Sequence, residues 1–478
     1  MFRIRRLCLV ILAIVAVFAC ARYGFDGSGE SALVFPADEE PAFGGAELNQ
    51  IEVDAFGARL LRLPGFATLD ARLPVPAAAG SAEALGKRFY FGGGNEAFPS
   101  QGACNDRFLV LDPDTGLLSS LTNLPLPKRG MDAVAWHGEI FFMMGYASGQ
   151  SDAEEQKIYA YDPLTGLFSY KASYPDQVYY FSAGLVPFGE GVAAVAVGGL
   201  GSGPIKDVVQ AFDLSTGDTW AFAQVLPEKN NLMAGAVAND VFYIFGGTGD
   251  EDQPLINTVD LTKSSIYAIE ADPIRIEHIG DLGAPVAAAC AVRQADGSIM
   301  IFGGERYVPG RVAGYGLEVL DQVIQFDPAD FSHKVYAETL PEPRSAMACA
   351  VNDRGQVVLF GGADGERTSH DQIWAFEPYA ELGSVTSQPV DSGFAGVRWS
   401  WLTAAAELPE TCGLTFKLRM ADSQDELQSS TWVEVQVGEL DPSLPRGRYV
   451  QWQAEFTSTN PLATPVLNKV ALVYATQD

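Results

Sequence analysis

The sequence predicts an all-β protein built from six repeats and followed by a region of alternating strands. Six short apolar runs each end in a glycine turn, and the successive turn positions lie 52, 54, 48, 57 and 58 residues apart. A period near fifty residues, with one strand-and-turn signature per period, is typical of repeat folds whose units share a buried core. Residues 384 to 478 alternate apolar and polar side chains instead. The six runs are residues 89–93, 141–145, 195–199, 242–247, 300–304 and 357–362.

A second marker follows the glycine turns and predicts how the strands are joined. It is a strand end that runs into an acidic residue, in its clearest copies followed by a Thr-Gly pair. An acidic side chain can accept hydrogen bonds from backbone N–H groups, and glycine permits the chain to reverse. Tight turns of this kind connect antiparallel strands. The clear copies are residues 111–116, 161–166 and 212–217, and the weaker ones lie at Glu270, Asp327 and Glu377.

These motifs together resemble the Kelch-repeat family of β-propellers over residues 51 to 383. The resemblance rests on the double glycine, the aromatic-acidic-proline turn and a Pro-Arg pair that opens the next repeat. It implies a six-bladed Kelch-type β-propeller with four strands per blade around a central channel. Residues 58 to 73 could supply the last blade's fourth strand and close the ring without an exposed edge. The sequence departs from the family at Met144, which replaces a glycine, and it keeps the family's tryptophan cleanly only at Trp220.

The N-terminus predicts export across a membrane. Three arginines precede an apolar run, which is followed by Val17, Phe18, Ala19 and Cys20. The run is short for a membrane span, so residues 1–19 are expected to be a signal peptide. The last four residues resemble a bacterial lipobox, which implies lipid attachment at Cys20; cleavage after Ala19 without a lipid is the alternative. Residues 20–50 are expected to be a linker, and the protein to lie in the bacterial envelope, periplasmic or at the cell surface.

The alternation in residues 384–478 predicts a C-terminal antiparallel β-sandwich. Part of this region resembles a small β-sandwich module that is appended to extracytoplasmic repeat proteins of bacteria. Polar and aromatic side chains on its outward strand face could bind a glycan, and a solvated sheet face is the alternative. The residues of this face are Lys417, Arg419, Tyr449, Gln451 and Gln453.

The formal charge of −29 argues against nucleic acid and anionic lipid headgroups as partners, because a strongly acidic surface repels both. The acidic loops at 152–155 and 250–252 could hold a divalent cation, but neither follows a calcium-loop ligand order. No metal-type cysteine spacing is present, so no cofactor is expected.

The cysteines predict little chemistry. Cys290 and Cys349 occupy nearly the same place in adjacent repeats, 13 and 12 residues before their glycine pairs. Buried free thiols are expected there, and a disulfide between the two is the alternative in an oxidising compartment. Cys104 and Cys412 have no evident partner.

No catalytic motif stands out. The four histidines lie in four different repeats, so the two-histidine, two-tyrosine copper site of some Kelch oxidases is not matched. Because no catalytic motif is present, the sequence predicts a non-enzymatic binding or scaffold lipoprotein whose partner is a protein or glycan of the envelope. Other six-bladed Kelch proteins of the bacterial envelope, however, isomerise sialic acid at the channel mouth. The alternatives are a sugar-acid isomerase at the channel mouth and a carbohydrate adhesin that uses the sandwich.

The propeller resemblance also predicts where a site would lie. The loop after each double glycine and the turn before each innermost strand emerge on one face, and the longest such loop runs from 304 to 320. Arg306, Tyr307 and Arg311 in that loop are expected to clamp a carboxylate or aromatic ligand. Arg129 and Arg344 could instead tie neighbouring blades together. The other candidates on this face are Glu305, Asn95, Glu96, Tyr146, Asp364, Glu366 and Arg367.

Overall fold

The computed structural model describes residues 46–96, 103–201, 204–249, 262–308 and 316–475, together with the backbone of residues 30–36. Their regular structure is almost all β-strand, with two short helices among the described residues, as the all-β prediction requires. They form two compact units: unit 1 combines the chain up to Leu63 with everything from Pro378 onward, and unit 2 is Pro64–Glu377. No helix within the described ranges is long and apolar enough to cross a membrane. The predicted signal peptide, including Cys20, lies outside these residues.

Unit 2 contains six four-stranded antiparallel sheets among its described residues, and each holds one of the glycine turns. Sheet 1 consists of Ser81–Leu85, Arg88–Gly92, Phe108–Asp112 and Leu117–Ser120, and sheet 2 of Asp132–Trp136, Glu139–Met143, Lys157–Asp162 and Leu167–Ser173. Sheet 3 consists of Ser182–Phe188, Gly191–Val197, Val209–Asp213 and Thr219–Ala221, and sheet 4 of Ala234–Ala238, Val241–Phe245, Ser265–Ala271 and Ile274–Asp281. Sheet 5 consists of Cys290–Arg293, Ile299–Phe302, Val323–Phe326 and His333–Val335, and sheet 6 of Ala348–Val351, Val357–Phe360, Gln372–Phe376 and Phe66–Arg72.

The glycine turns are explained by backbone conformation and close approach. Gly246 and Gly247 have φ of 61° and 100°, and a Cβ atom on Gly246 would overlap the carbonyl oxygen of Val286. Glycine is the residue that meets both demands without strain. Met144 occupies the same turn position in sheet 2 and adopts a φ of 46°, so the chain keeps its path where the sequence departs from the repeat.

Sheet 6 takes its fourth strand from the other end of unit 2. Strand Phe66–Arg72 pairs antiparallel with Gln372–Phe376, inside the stretch 58–73 for which this role is predicted. Phe66 packs against Phe376, with ring centroids 5.1 Å apart, and lies 6.1 Å from Phe302 of sheet 5. Apolar burial therefore supports the pairing in addition to the backbone hydrogen bonds.

A closed cycle of backbone hydrogen bonds links the six sheets. In each sheet, the residue two positions before the first strand donates its N–H to the carbonyl of the corresponding residue of a neighbouring sheet, at 2.7 to 2.8 Å. All six residues have positive φ, between 50° and 58°, although five of them are not glycine. In chain order this ring consists of Ala79, Gly130, Tyr180, Leu232, Ala288 and Ala346, and the donor in each bond is the later residue except that Ala79 donates to Ala346.

Two further elements lie outside these sheets in unit 2. The predicted long loop forms a hairpin of Glu305–Tyr307 and Leu317–Val319, and the acidic segment Asp152–Glu155 forms a short helix.

Unit 1 contains two six-stranded sheets. The first joins Glu30–Pro36, Ile51–Asp54, Gly57–Leu60, Arg398–Glu407, Gly438–Glu439 and Val466–Ala475; the second joins Glu47–Asn49, Leu382–Thr386, Val390–Asp391, Cys412–Ala421, Val433–Val435 and Tyr449–Ser458. A helix, Gln424–Ser429, follows Cys412–Ala421. The core holds Trp399, Trp452 and Phe456, which are fully or almost fully buried.

The predicted domain boundaries differ from this division. Residues 46–60 were expected to be linker and first repeat, but they supply strands to the sheets of unit 1. The reason is burial: Ala58 and Leu60 have no exposed surface and belong to the core of unit 1, and the Leu60 N–H donates to Thr464 Oγ1 at 2.9 Å. The expected start of the C-terminal region at residue 384 likewise moves to Pro378.

Cys290 and Cys349 form a disulfide, with their Cα atoms 6.0 Å apart, where free thiols were expected. The bond joins the first strands of sheets 5 and 6. Cys104 and Cys412 are not part of a disulfide among the described residues.

Candidate functional site

Side chains of all six sheets converge around the hydrogen-bonded ring on one side of unit 2. In each repeat, the residue before the ring residue forms a β-bridge with the residue after the glycine turn. These bridges place twelve residues around the ring, and we call them the axial face. The pairs are Ala78 with Asn95, Arg129 with Tyr146, Tyr179 with Leu200, Asn231 with Thr248, Ala287 with Glu305, and Ser345 with Ala363.

Arg129 is the unusual member of the axial face. Only 7% of the surface of this residue is exposed. The guanidinium lies over the ring of Tyr146, 4.6 Å from the centroid. Across the described ranges it has no carboxylate partner, and its Nε donates no hydrogen bond. A buried cation without a counter-charge is costly for a protein to maintain.

Tyrosine side chains line the same part of the axial face. Tyr146 and Tyr179 have ring centroids 5.3 Å apart, and Tyr179 is 5.2 Å from Tyr180 of the ring. Burial raises the pKa of Tyr179 to about 12, although the nearby Arg129 charge acts to lower it. Burial also raises the pKa of the Cys104 thiol, whose Sγ lies 3.7 Å from the Tyr146 carbonyl oxygen. These groups are therefore neutral at physiological pH and do not compensate the Arg129 charge.

Sheet 5, opposite sheet 2 around the ring, carries a paired charge. Arg367 Nη1 and Glu305 Oε2 are 2.6 Å apart, and both side chains are largely buried. Glu305 is thus already neutralised by a cation from the neighbouring loop. Such a pair can orient a ligand but adds little net charge to the axial face.

The loop that carries Arg367 is organised by Asp364. Its Oδ1 accepts the backbone N–H groups of Glu366 and Thr368, and its Oδ2 lies 2.9 Å from His370 Nε2. Burial acts to raise the pKa of Asp364, but these hydrogen bonds outweigh it and lower the pKa overall. Asp364 is therefore an ionised structural carboxylate.

Asn95 ties this loop to sheet 1. The Ser369 Oγ–H donates to the Asn95 carbonyl at 2.9 Å, and both residues are buried. Glu96 follows Asn95 as an exposed residue.

Arg306 and Tyr307, which were expected to clamp a ligand from the long loop, have partners of their own in the structure. Arg306 lies in the hairpin, where its Nε donates to Glu318 Oε2 at 2.7 Å. The Tyr307 N–H donates to Thr262 Oγ1 at 3.2 Å. Arg311 lies outside the described residues. The charge of Arg306 is therefore satisfied within its own hairpin.

Arg344 is not the counterpart of Arg129, although sequence motifs suggest it. The Lys128 carbonyl accepts from Gly94 N and the Arg344 carbonyl accepts from Gly304 N, so Lys128 and Arg344 hold equivalent positions in the repeat. Arg129, which bridges to Tyr146, corresponds instead to Ser345, which bridges to Ala363. Arg344 is 1% exposed and well supported. Its Nη2 donates to Glu342 at 2.5 Å and to Gln372 at 2.9 Å, and the guanidinium lies 5.3 Å from the centroid of Trp374.

A second feature lies on the other side of the ring, where sequence reasoning identified nothing. The first strands of all six sheets surround a cavity of about 270 Å³. Its walls are mainly Ala, Val, Gly and Leu, and they also carry Glu83 and Asp132. These two are the only acidic residues of the six first strands, and that compositional signal could have identified them.

The described part of the chain has no cluster of three or more His, Cys, Asp or Glu residues that could hold a metal ion. The acidic stretch 250–252 lies outside it. In the helix Asp152–Glu155, the buried Glu155 accepts hydrogen bonds from Ala147 N and Gln177 Nε2.

The polar strand face of unit 1 is internally satisfied. Lys417 pairs with Glu455 at 2.5 Å, Arg419 donates to Gln451 at 2.8 Å, and Gln453 donates to Thr386 at 3.0 Å. Arg419 also lies over Trp432, 4.7 Å from the ring centroid, and Arg448 lies over Tyr449. The face is less exposed than expected, because Gln451 is buried and donates to the Ser387 carbonyl at 2.5 Å, and the other four residues are only partly exposed.

Comparison with known proteins bears on the fold. The solved structure of YjhT superposes with a TM-score of 0.50, covering 67% of this chain and 97% of that chain at 13% sequence identity. No family model matches the chain, and no curated protein matches it either. At this identity the likeness concerns architecture alone, and together with the four-stranded sheets it supports a β-propeller-like fold.

Proposed function

We propose that the six sheets of unit 2 are the blades of one six-bladed, Kelch-type propeller and that unit 1 is a β-sandwich. The hydrogen-bonded ring supports six-fold closure, because it returns from Ala346 to Ala79 without a gap. Strand Phe66–Arg72 completes sheet 6 as its outer strand, so that all six sheets have four strands. The two six-stranded sheets of unit 1 share one core, which supports the sandwich.

We further propose that this protein binds a small carboxylate-bearing ligand on the axial face, as a binding protein rather than an enzyme. The observation that carries the proposal is the buried, unpaired guanidinium of Arg129. Arginine is suited to a carboxylate because its planar donors match the two oxygens. A ligand anion would supply the counter-charge that this chain does not.

The surroundings of Arg129 suit a ligand with a ring or an apolar surface beside its carboxylate. Tyr146 and Tyr179 are only partly buried, and their rings present flat surfaces next to the guanidinium. Aromatic rings of this kind stack on sugar rings and on other planar groups. Sugar acids and aromatic acids are therefore the ligand classes to test first.

The arrangement of carboxylates favours binding over catalysis. A sugar-acid isomerase would need a carboxylate or another base free to move a proton. Glu305 is engaged by Arg367, and Asp364 is engaged by His370 and two backbone N–H groups. The isomerase remains the second candidate because Arg129 and tyrosines lie at the same mouth.

The cellular setting completes the proposal. The signal-like N-terminus and the lipobox-like Cys20 support an extracytoplasmic protein held at the envelope by a lipid. The negative formal charge supports partners other than nucleic acid.

Binding is tested by isothermal titration calorimetry of the purified chain with glucuronate, N-acetylneuraminate and benzoate. Glucose and benzyl alcohol serve as neutral counterparts. Arg129→Met is expected to weaken binding of the acid about 10- to 100-fold, because a charge-assisted hydrogen bond contributes about 1.5–3 kcal/mol. Arg275→Met, an exposed arginine on an outer strand, is the matched control and should bind as the parent does.

Two outcomes would overturn the proposal. Equal affinity of parent and Arg129→Met for every acid would remove Arg129 from the site. Accelerated interconversion of the sugar acid's isomers, followed by proton NMR in the presence of the parent protein, would replace the binding protein with the isomerase.

A further inference from the structure

The acidic residues of the channel cavity form a pair that the axial face does not use. Glu83 and Asp132 line the cavity on the far side of the ring, and the remaining lining residues carry no other charge. Cys349 also lines the cavity, but it is bonded to Cys290 and does not ionise. Two carboxyl groups thus face one narrow space without a cation beside them.

The partners of both carboxyl groups are backbone N–H groups. Glu83 Oε1 accepts from Ala84 N at 2.8 Å. Asp132 Oδ1 accepts from Ala133 N at 2.9 Å, and its Oδ2 accepts from Ala183 N of sheet 3 at 2.8 Å. Asp132 therefore connects two sheets. Neither carboxyl has an ion-pair partner in the described part of unit 2.

The titratable groups of the neighbouring strands do not compensate the pair. Tyr90 is paired opposite Glu83 on the second strand of sheet 1, and burial raises its pKa. Tyr174 packs near Asp132, and burial together with the Asp132 charge raises the pKa of Tyr174. Both phenols remain neutral, so each carboxyl's main electrostatic neighbour is the other carboxyl.

We propose that Glu83 and Asp132 are a proton-binding pair that makes unit 2 more stable in mild acid than at mildly alkaline pH. Burial raises the pKa of Glu83 to about 8, with a smaller contribution from the Asp132 charge. Burial likewise raises the pKa of Asp132 to about 6. A folded-state pKa above the unfolded value means that the native state holds the proton longer. The resulting stability is present in acid and is lost as pH rises to about 8.

The test compares the parent with Glu83→Gln by calorimetry between about pH 5 and about pH 8. Glutamine keeps the oxygen that accepts from Ala84 N and removes the ionisation. We expect the fall in unfolding temperature across this window to be at least halved in the variant. Glu190→Gln, which changes an exposed carboxylate in a turn, should keep the parent's slope.

Hydrogen exchange provides a second readout, taken on the amides that exchange only when unit 2 opens as a whole. After correction for intrinsic rates, the slowest-exchanging amides of the parent's segment 182–188 should lose protection as pH rises to about 8, and Glu83→Gln should lose less. Parallel slopes for parent and Glu83→Gln, or pH-independent protection of this segment, would overturn the proposal. Should Glu83→Gln fold poorly, Asp132→Asn tests the same slope with the other carboxyl, and a parent-like slope there would also overturn it.

Discussion

Replacing Arg129 or Arg344, both buried in unit 2, by methionine should change the stability of the unit in opposite directions. Arg129→Met removes a largely buried charge without a counter-ion, and full burial of such a charge costs on the order of several kcal/mol. It also removes the cation–π contact with Tyr146, which contributes about 1–2 kcal/mol. Because methionine fills similar space, the unliganded variant should be more stable than the parent by about 1–2 kcal/mol.

Arg344→Met should be destabilising. It removes the hydrogen bonds to Glu342 and Gln372 and leaves the Gln372 acceptor without its donor. Losses of this kind cost about 1–3 kcal/mol each when the donor is charged. With the contact to Trp374 lost as well, we expect a destabilisation of about 3 kcal/mol.

Scanning calorimetry without ligand at neutral pH measures both effects. For a domain of this size, 1 kcal/mol corresponds to roughly 2 °C. The unfolding temperature should rise by about 2–4 °C in Arg129→Met and fall by about 6 °C in Arg344→Met. A fall in Arg129→Met as large as that in Arg344→Met would refute the reasoning, because Arg129 would then be a structural tie between sheets.

Three further changes test the closure and the ring of unit 2. Reducing Cys290–Cys349, or replacing both by alanine, should cost about 4 kcal/mol in unfolding experiments, since the bond closes a loop of 59 residues. Gly130→Ala should cost about 1–3 kcal/mol and displace Tyr180 in a crystal structure, because the new Cβ would lie 2.5 Å from its ring; parent-like stability would contradict this. Phe66→Ala should cost about 3 kcal/mol in urea unfolding through lost packing in sheet 6, and a cost below 1 kcal/mol would argue against closure by this strand.

Much of the repeat could be read from the sequence because its determinants are local. The glycine pairs mark places where φ must be positive and the neighbouring chain is close. The φ demand is local, and the close approach is to the neighbouring repeat at the same place each time, so both recur as a pattern. Met144 shows the limit of the rule: its backbone takes the glycine conformation with a long side chain, and the turn survives.

The candidate site was harder to predict because its chemistry depends on partners from distant parts of the chain. Arg129 and Arg344 share a sequence motif, yet only Arg344 is given a carboxylate and an amide by its neighbours. Arg306 was expected to meet a ligand, and Glu318, twelve residues on, satisfies its charge. No local pattern encodes which buried charge is left without a partner.

The sequence by itself determined an all-β chain, the six glycine turns and the stretch that supplies the last strand of sheet 6, because period, turn chemistry and apolar alternation are local properties. Only the tertiary structure decided that residues 46–60 belong with the C-terminal sheets. It also decided that Cys290 bonds Cys349, and that Glu83 and Asp132 share a cavity. Each of these depends on which strands become neighbours in space, and burial across the whole fold, rather than any short segment, selects those neighbours.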